Sequence, residues 1–422
     1  MWLLRIKGFG GELGAAVLGS FGYIQVRQHK TKQTEMSIES DYLSNLSNII
    51  ANTKITFPKN YLEILRTSLE NFQNIDFSIL SKNLPYTKKS TSQTAIKYLR
   101  ESYFNNKLVL VLGAGVSMKF GIPSWDSLLQ RLLVKTIEEE PEKATILSKV
   151  FTKVFNPSPL IAGRFLQESL EKPNNSKNQF ENEVRSALYE SFDNNAHSLT
   201  MEEIVQLCIS PGKNTPTLDG IISYNYDDII ENKILAKGLD VPFQSIYGQG
   251  IDPDDNSLAI YHVHGFLPRE GNLDDRNIIT LGEYVYHEQY NAIYSWNNIV
   301  QINKFRDNTC LFIGSSLTDP NIRRLLDIAN SQKTGKKKYH YILKKKPDLK
   351  KVREMLQKVL DDNPEIFNEK IKAKINFEDT VEFLIEMQNR YEEIDSESLG
   401  VKTVWINDYD NDIANILKKI RK

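Results

Sequence analysis

The sequence predicts an α/β fold: a doubly wound, mostly parallel sheet with a helical segment ahead of it. Three observations carry this prediction. Short, wholly apolar runs recur at "LVLVLG" (108–113), "DGIISYN" (219–225), "AIYHVHG" (259–265), "TCLFIGSS" (309–316), "YHYIL" (339–343) and "VKTVWIN" (401–407). Continuous rather than alternating apolarity means burial on both faces, the mark of a parallel sheet covered by helices. Helical patterns separate the runs, and glycine-bearing polar residues gather at the ends of several of them, the edge where such sheets bind ligands.

The elements can be justified in chain order. Residues 1–35 read as a disordered tail, or as residues upstream of a natural start at Met36. Within them Gly8–Val26 is long enough to raise a membrane span, but Glu12 and the many glycines argue against insertion. Residues 36–104 form a helical accessory or assembly segment: "DYLSNLSNIIAN" and "PKNYLEILRTSLENF" carry apolar residues at helical spacing, with Pro58 suited to a first turn. Residues 105–422 are expected to form one ligand-binding domain. In it "SWDSLLQRLL" puts Trp125, Leu128, Leu129, Leu132 and Leu133 on one face, with Ser124 as N-cap. "DDIIENKILAKG" stops at Gly238. In "DPNIRRLLDIA", Asp319 caps, Pro320 opens the helix, and Ile322, Leu325, Leu326 and Ala329 form the buried stripe. The asparagine-rich stretch 174–195 reads as a loop or helix edge.

Composition narrows the function classes. The 422 residues carry a formal net charge of −1, so no global field draws the chain to nucleic acid or membrane. Lysines crowd 332–351, but no stacking array of aromatics accompanies them, and they read as a solvated strand edge; direct nucleic-acid binding is not expected. Cys208 and Cys310 stand too far apart for a CxxC metal site or a disulfide framework, which suits a reducing cytoplasm. No P-loop is present: "PGKNT" and "TGKKK" both lack the required upstream glycine.

The chemistry concentrates in "KLVLVLGAGVSMKFGIPSWDSLLQRLL", Lys107–Leu133. Gly113, Ala114 and Gly115 end a strand before a helix, so backbone amides can approach a pyrophosphate. A dinucleotide fingerprint wants a third glycine three residues after Gly115, where Met118 stands; the next glycine is Gly121. Ser117 serves either as a phosphate contact or as a cap. Asn225 caps a helix starting at Asp227 or offers an uncharged amide to a ligand. His262 and His264 lie two apart on a strand and face one way. They form either a metal pair, for which no acidic or cysteine partner is placed by sequence, or a buried support (His262) beside a base at the strand end (His264).

Taken in order, "GAGVSMKFGIP", "ISYNYDDIIE", "YHVHGFL" and "LFIGSSLTDPNI" resemble the motifs of the sirtuin (silent information regulator) superfamily. The resemblance runs from about Asn105 to about Asn411. It implies a Rossmann-like NAD-binding fold with Asn225 and His264 as the catalytic pair. It further implies nucleotide contacts from Gly113, Ala114, Gly115, Ser117, Asp126, Tyr224, Asp227, Gly265, Gly314, Ser315 and Ser316. NAD enters as substrate, and breaking its nicotinamide–ribose bond passes through an oxocarbenium-like transition state. Two departures matter. The four-cysteine zinc module of protein-deacylating members is absent, so no metal is expected. "GIPSWDSLL" stands where those enzymes read "GIPDFR", which removes an acid and an arginine; Asp126 replaces the acid or acts as a helix-start cap. The variant is similar to a bacterial branch found in anti-phage defence. This implies a cytoplasmic, homo-oligomeric NAD glycohydrolase, held inactive until a hexameric DNA-translocase-type ATPase or a phage-derived component triggers it. The competing readings are a protein deacylase or ADP-ribosyltransferase, and a non-catalytic scaffold that senses NAD or ADP-ribose.

Overall fold

A computed structural model describes residues 92–136, 158–170, 179–209, 217–238, 241–254, 256–274, 276–333 and 339–422. The expectations for residues 1–91 lie outside the described residues. The described residues divide into two compact units, one running to residue 345 and resuming at 396–422, the other holding residues 346–395.

The first unit opens with helix α1 (Ser92–Phe104), which buries Ala95, Leu99 and Tyr103. The continuously apolar runs then become seven strands: β1 (Leu108–Leu112), β2 (Gly220–Ser223), β3 (Phe243–Ile246), β4 (Leu258–His262), β5 (Thr309–Ile313), β6 (His340–Lys345) and β7 (Val401–Ile406). They form one sheet in the order β3-β4-β2-β1-β5-β6-β7. Every pairing in it is parallel. Six of the strands coincide with the six apolar runs to within a few residues at either end. The seventh, β3, is a half-exposed edge strand with no apolar run of its own.

Parallel pairing buries both faces, and the strand residues divide accordingly. Leu108, Leu110 and Leu112 point into one core with Ile221, Ile260, Leu311 and Ile313. Val109 and Val111 point into the other with Ile222, Tyr261, Cys310 and Phe312. Among the described residues, six helices close the first face: α1, α2 (Trp125–Thr136), α4 (Gln179–Tyr189), α5 (Leu199–Cys208), α6 (Ile229–Leu235) and α13 (Asn411–Arg421), with α3 (Pro159–Leu170) beside α2. The second face is closed by α8 (Trp296–Asp307) and α9 (Pro320–Ser331), with α7 (Glu283–Asn291) alongside. A leucine fully buried in such a core contributes about 1.5–3 kcal/mol. The arrangement is the doubly wound α/β fold expected.

Local signals explain most boundaries. Ser124 accepts from the Ser127 amide at the start of α2. Asp319 caps α9 through the Ile322 amide with Pro320 in its first turn. Gly238 closes the turn after α6 at φ +65°. Two expectations are corrected. The asparagine-rich stretch contains α4, whose Phe180, Val184, Ala187 and Leu188 are buried. The lysine-flanked strand is internal, since β6 lies between β5 and β7.

The second unit contributes α10 (Leu349–Asp362), α11 (Glu369–Lys372) and α12 (Phe377–Ser398) as far as Asp395. Asp348 caps α10 and Asn368 caps α11. Arg353 pairs with Glu378, and Lys372 with Asp361. Among the described residues, no helix is long and apolar enough to cross a membrane.

Candidate functional site

The strand order changes direction around β1, which has β2 on one side and β5 on the other. At such a switch point the loops leaving the carboxyl ends diverge and open a crevice for ligands. Here the β1 loop makes two short 3-10 turns, Ala114–Val116 and Met118–Phe120. It is pressed against the β5 loop: the Gly113 amide donates to the Ile313 carbonyl and the Gly115 amide to the Gly314 carbonyl, both at 3.0 Å. A β-carbon on Gly113 would meet the Gly314 oxygen at 2.6 Å, and one on Gly115 the Gly314 Cα at 2.7 Å. The glycines therefore let two backbones touch, and the Gly115 N–H is already committed. Gly121, the late third glycine, serves a different purpose. It takes φ +82° where a β-carbon would strike the Ser191 carbonyl.

Asn225 stands two residues beyond the end of β2, half-buried beside this loop. Its side-chain amide donates to the Gly113 carbonyl (3.1 Å) and the Ser117 hydroxyl (3.2 Å). Asn225 does not cap a helix; α6 starts at Ile229 with Asp228 in the cap position. Ser117 and Asp227 are both buried. Asp227 accepts from the Ile229 amide at 3.2 Å through one oxygen, while the other is buried without a partner. Burial pushes its carboxyl up to about 6, against the opposing pull of the nearby Ser117 hydroxyl and the Ile229 amide.

Beneath Asn225 lies a buried pair. His262 is fully buried, with Nε2 2.7 Å from Glu231 Oε1 and Nδ1 3.2 Å from the Asn225 carbonyl. Burial alone lowers an imidazole pKa, but the Glu231 carboxylate outweighs it and His262 is raised. The metal-pair reading of His262 finds no support: no cluster of three metal-ligating side chains occurs among the described residues.

His264 occupies the same relative place on β4 that Asn225 occupies on β2. Ser223 pairs with His262, the Val263 amide donates to the Ser223 carbonyl, and Asn225 and His264 each lie two residues beyond that pair. The His264 ring is buried, edge-on to Tyr224 at 4.8 Å and to Tyr286 at 6.0 Å. Its Nε2 has no hydrogen-bond partner and points toward Asp319, whose Oδ2 is 3.8 Å away. Burial lowers its pKa, so the ring is neutral at pH 7, with Asp319 opposing in part. No hydrogen bond joins Asn225 to His264. Gly265 follows at φ +104°, where a β-carbon would meet the Ile278 carbonyl at 2.7 Å.

The other expected residues divide. Tyr224 bonds Gln301 and flanks His264. Gly314 takes φ +68° against Gly115. Ser315 accepts from the Leu317 amide, and Ser316 bonds Thr318. Asp126 sits on the exposed side of the first turn of α2, and no hydrogen bond ties it to the cluster. Glu231 was not expected at all. In sequence it reads as a helix-surface acid beside Ile230 and Ile234, and only the His262 partner makes its burial tolerable.

The arrangement is an oriented amide and a neutral imidazole on adjacent strand ends, beside a glycine loop whose own crevice is lined by Gly115, Lys119, Thr200, Gly314 and Asp410. The Asn225 amide and the neutral His264 ring, side by side at the ends of β2 and β4, suit a nucleotide with a reactive sugar. Residues 219–364 match the family model for the SIR2-like domain, a span that includes Asn225, His264 and Gly314. No curated protein matches the chain. Over residues 219–364, about a third of the chain, the sequence is similar to a SIR2-like domain.

Proposed function

We propose that the protein is an NAD glycohydrolase that converts NAD and water to nicotinamide and ADP-ribose. The supporting observation is the placement of Asn225 and His264 at register-equivalent positions on β2 and β4, beside the glycine loop. NAD supplies its own leaving group, because the positively charged nicotinamide nitrogen takes the electron pair of the broken glycosidic bond. The chain's residues then have two roles. The Asn225 amide orients sugar hydroxyls and water without adding charge. His264 takes the proton lost by the attacking water. A proton resting on Nε2, toward the Asp319 carboxylate, leaves the Nδ1 lone pair as the acceptor.

Asp319 and Tyr286 restrict how that ring can turn. Tyr286 donates to Asp319 Oδ2, and Asp319 is itself fixed as the cap of α9. Hydrolysis is favoured over acyl transfer because the two cysteines are buried and far apart in sequence, so no four-cysteine zinc module can be built from them.

The test is chromatographic: NAD is incubated with the protein, and nicotinamide and ADP-ribose are quantified. Asn225→Ala and His264→Ala should each lower the rate by roughly 10²–10⁴-fold, the usual range for a lost base or positioning group. A variant at the parental rate overturns the mechanism. Release of nicotinamide only with an acyl-lysine peptide makes the protein a deacylase. NAD or ADP-ribose binding without turnover makes it a sensor. The cytoplasmic defence role, homo-oligomeric assembly and triggering by a translocase-type ATPase or phage component extend the same proposal. They are checked by repeating the assay with such a trigger and by measuring mass in solution.

A further inference from the structure

We infer that Glu231 and His262 are positioning residues for Asn225: a carboxylate–imidazolium strut that holds the Asn225 peptide through its carbonyl. With Glu231 ionised, the geometry requires two protons on the ring. Nε2 faces Glu231 Oε1 at 2.7 Å and Nδ1 faces the Asn225 carbonyl at 3.2 Å. Neither oxygen has a hydrogen to give when Glu231 is ionised, and Oε1 already accepts the Ser245 hydroxyl at 2.9 Å. Both contacts are hydrogen bonds only if the ring donates from each nitrogen. A neutral imidazole carries one hydrogen and must give up one contact.

The surroundings support that charge state. Glu231 on α6 and Asp227 in the preceding loop are the carboxylates that bear on the ring. Ser245 of β3 and the Phe266 ring, 4.2 Å away between centroids, are uncharged neighbours. The Cys208 thiol of α5 lies near Glu231, and burial holds it protonated. One cation therefore stands among two acids in a site closed to water, where charge-assisted bonds are strongest. The purpose follows from what the Asn225 peptide carries. Its carbonyl is held from below by His262, while its side chain reaches the Gly113 carbonyl and Ser117. Loosening the carbonyl lets the side-chain amide drift, and a misplacement of about 1 Å in a reacting group costs on the order of 10²-fold in rate.

The consequence for turnover rests on the NAD-cleaving reading; the strut itself does not. The first measurement is therefore a long-range ¹H–¹⁵N correlation spectrum of the whole protein, with His262 assigned through His262→Gln. At about pH 7.5, where an exposed histidine is neutral, both His262 nitrogens should carry protons. Glu231→Gln should convert the ring to one proton and shift the Asn225 side-chain amide. The second measurement is kinetic. Glu231→Gln should lower kcat by about tenfold or more with KM nearly unchanged, and move the alkaline limb of the kcat profile to lower pH. A neutral His262 in the parent protein at that pH overturns the strut, as does Glu231→Gln with an unmoved Asn225 amide. An unchanged kcat and pH profile overturns its role in turnover. If the parent protein does not cleave NAD, the proposed function fails while the two spectroscopic signals still decide the strut.

Discussion

The Gly115 amide donates to the Gly314 carbonyl at 3.0 Å, and neither residue has room for a side chain. A β-carbon on Gly115 would stand 2.7 Å from the Gly314 Cα, and one on Gly314 2.7 Å from the Val116 nitrogen. The loops leaving β1 and β5 are thus joined backbone to backbone at the switch point of the sheet. Gly314 also sits at φ +68°, so Gly314→Ala adds left-handed strain to crowding and should cost roughly 2–4 kcal/mol. Gly271 has a positive φ in open space, and Gly271→Ala should cost only about 1 kcal/mol. Urea unfolding of the two variants checks the difference. Equal losses would mean that the loop contact yields easily.

Asn225→Asp keeps the shape of the side chain and reverses its hydrogen bonding. The atom now 3.1 Å from the Gly113 carbonyl would become an oxygen, and a carboxylate would be added near buried Asp227. The variant should lose activity as fully as Asn225→Ala does. It should also lose about 1–3 kcal/mol of stability through the lost amide donor, oxygen-to-oxygen repulsion at the Gly113 carbonyl, which keeps only its bond from the Val116 amide, and like-charge repulsion. Thermal melts beside the NAD assay separate the two effects. A stable, active Asn225→Asp would show that the amide hydrogens do not matter.

What the sequence disclosed followed the physics of burial. Runs such as "LVLVL" and "TCLFI" can only be interior strands, so the sheet and its two helical layers were legible, as were caps with a local signature such as Asp319. Phe243–Ile246 was not, because an edge strand buries too little to need a continuous apolar run. At the site, the order of Gly113, Asn225 and His264 could be read, and so could the buried support from His262. The partner of His262 could not. Glu231 looks like any helix-surface acid until β4 is laid beside β2 and His262 comes to rest against it. Long-range pairing of this kind leaves no periodic trace in a chain.

Asp227 makes stability depend on pH in a stated direction. Its folded pKa of about 6 lies above the ordinary value, so the folded state holds the proton more tightly than the unfolded chain. Between about pH 4 and pH 6 the folded form binds more protons, and stability must fall as pH rises through that window. The loss levels off above pH 6 at roughly 3 kcal/mol, an order-of-magnitude figure for a buried carboxyl. Asp227→Asn keeps an oxygen for the Ile229 amide and cannot ionise. It should therefore be more stable than the parent at pH 8 and no more stable at pH 4. Urea midpoints at the two values decide it, and a parallel pH dependence in the two proteins would refute the assignment.

Asp410 shows the opposite sign. It lies just before α13, and its carboxylate accepts the Ser198 hydroxyl (3.0 Å) and the Leu199 and Thr200 amides (3.2 and 3.1 Å) at the start of α5. It also pairs with Lys119 of the glycine loop at 2.6 Å. Partial burial raises its pKa, but Lys119 and the helix amides win and hold it at about 2. A depressed carboxyl contributes stability above its unfolded pKa, and that contribution disappears as pH falls from about 4 to 2. Asp410→Asn keeps one acceptor and loses the charge. At neutral pH it should cost about 1–2 kcal/mol, the range for a cap combined with a charge at a helix start. Lys119→Met should reproduce little of that loss, because most of the Asp410 partners are amides and a hydroxyl. If Lys119→Met alone destabilises as much as Asp410→Asn, the ion pair, not the cap, joins the end of the chain to the glycine loop; the double variant, measured in the same urea series, gives the coupling between them.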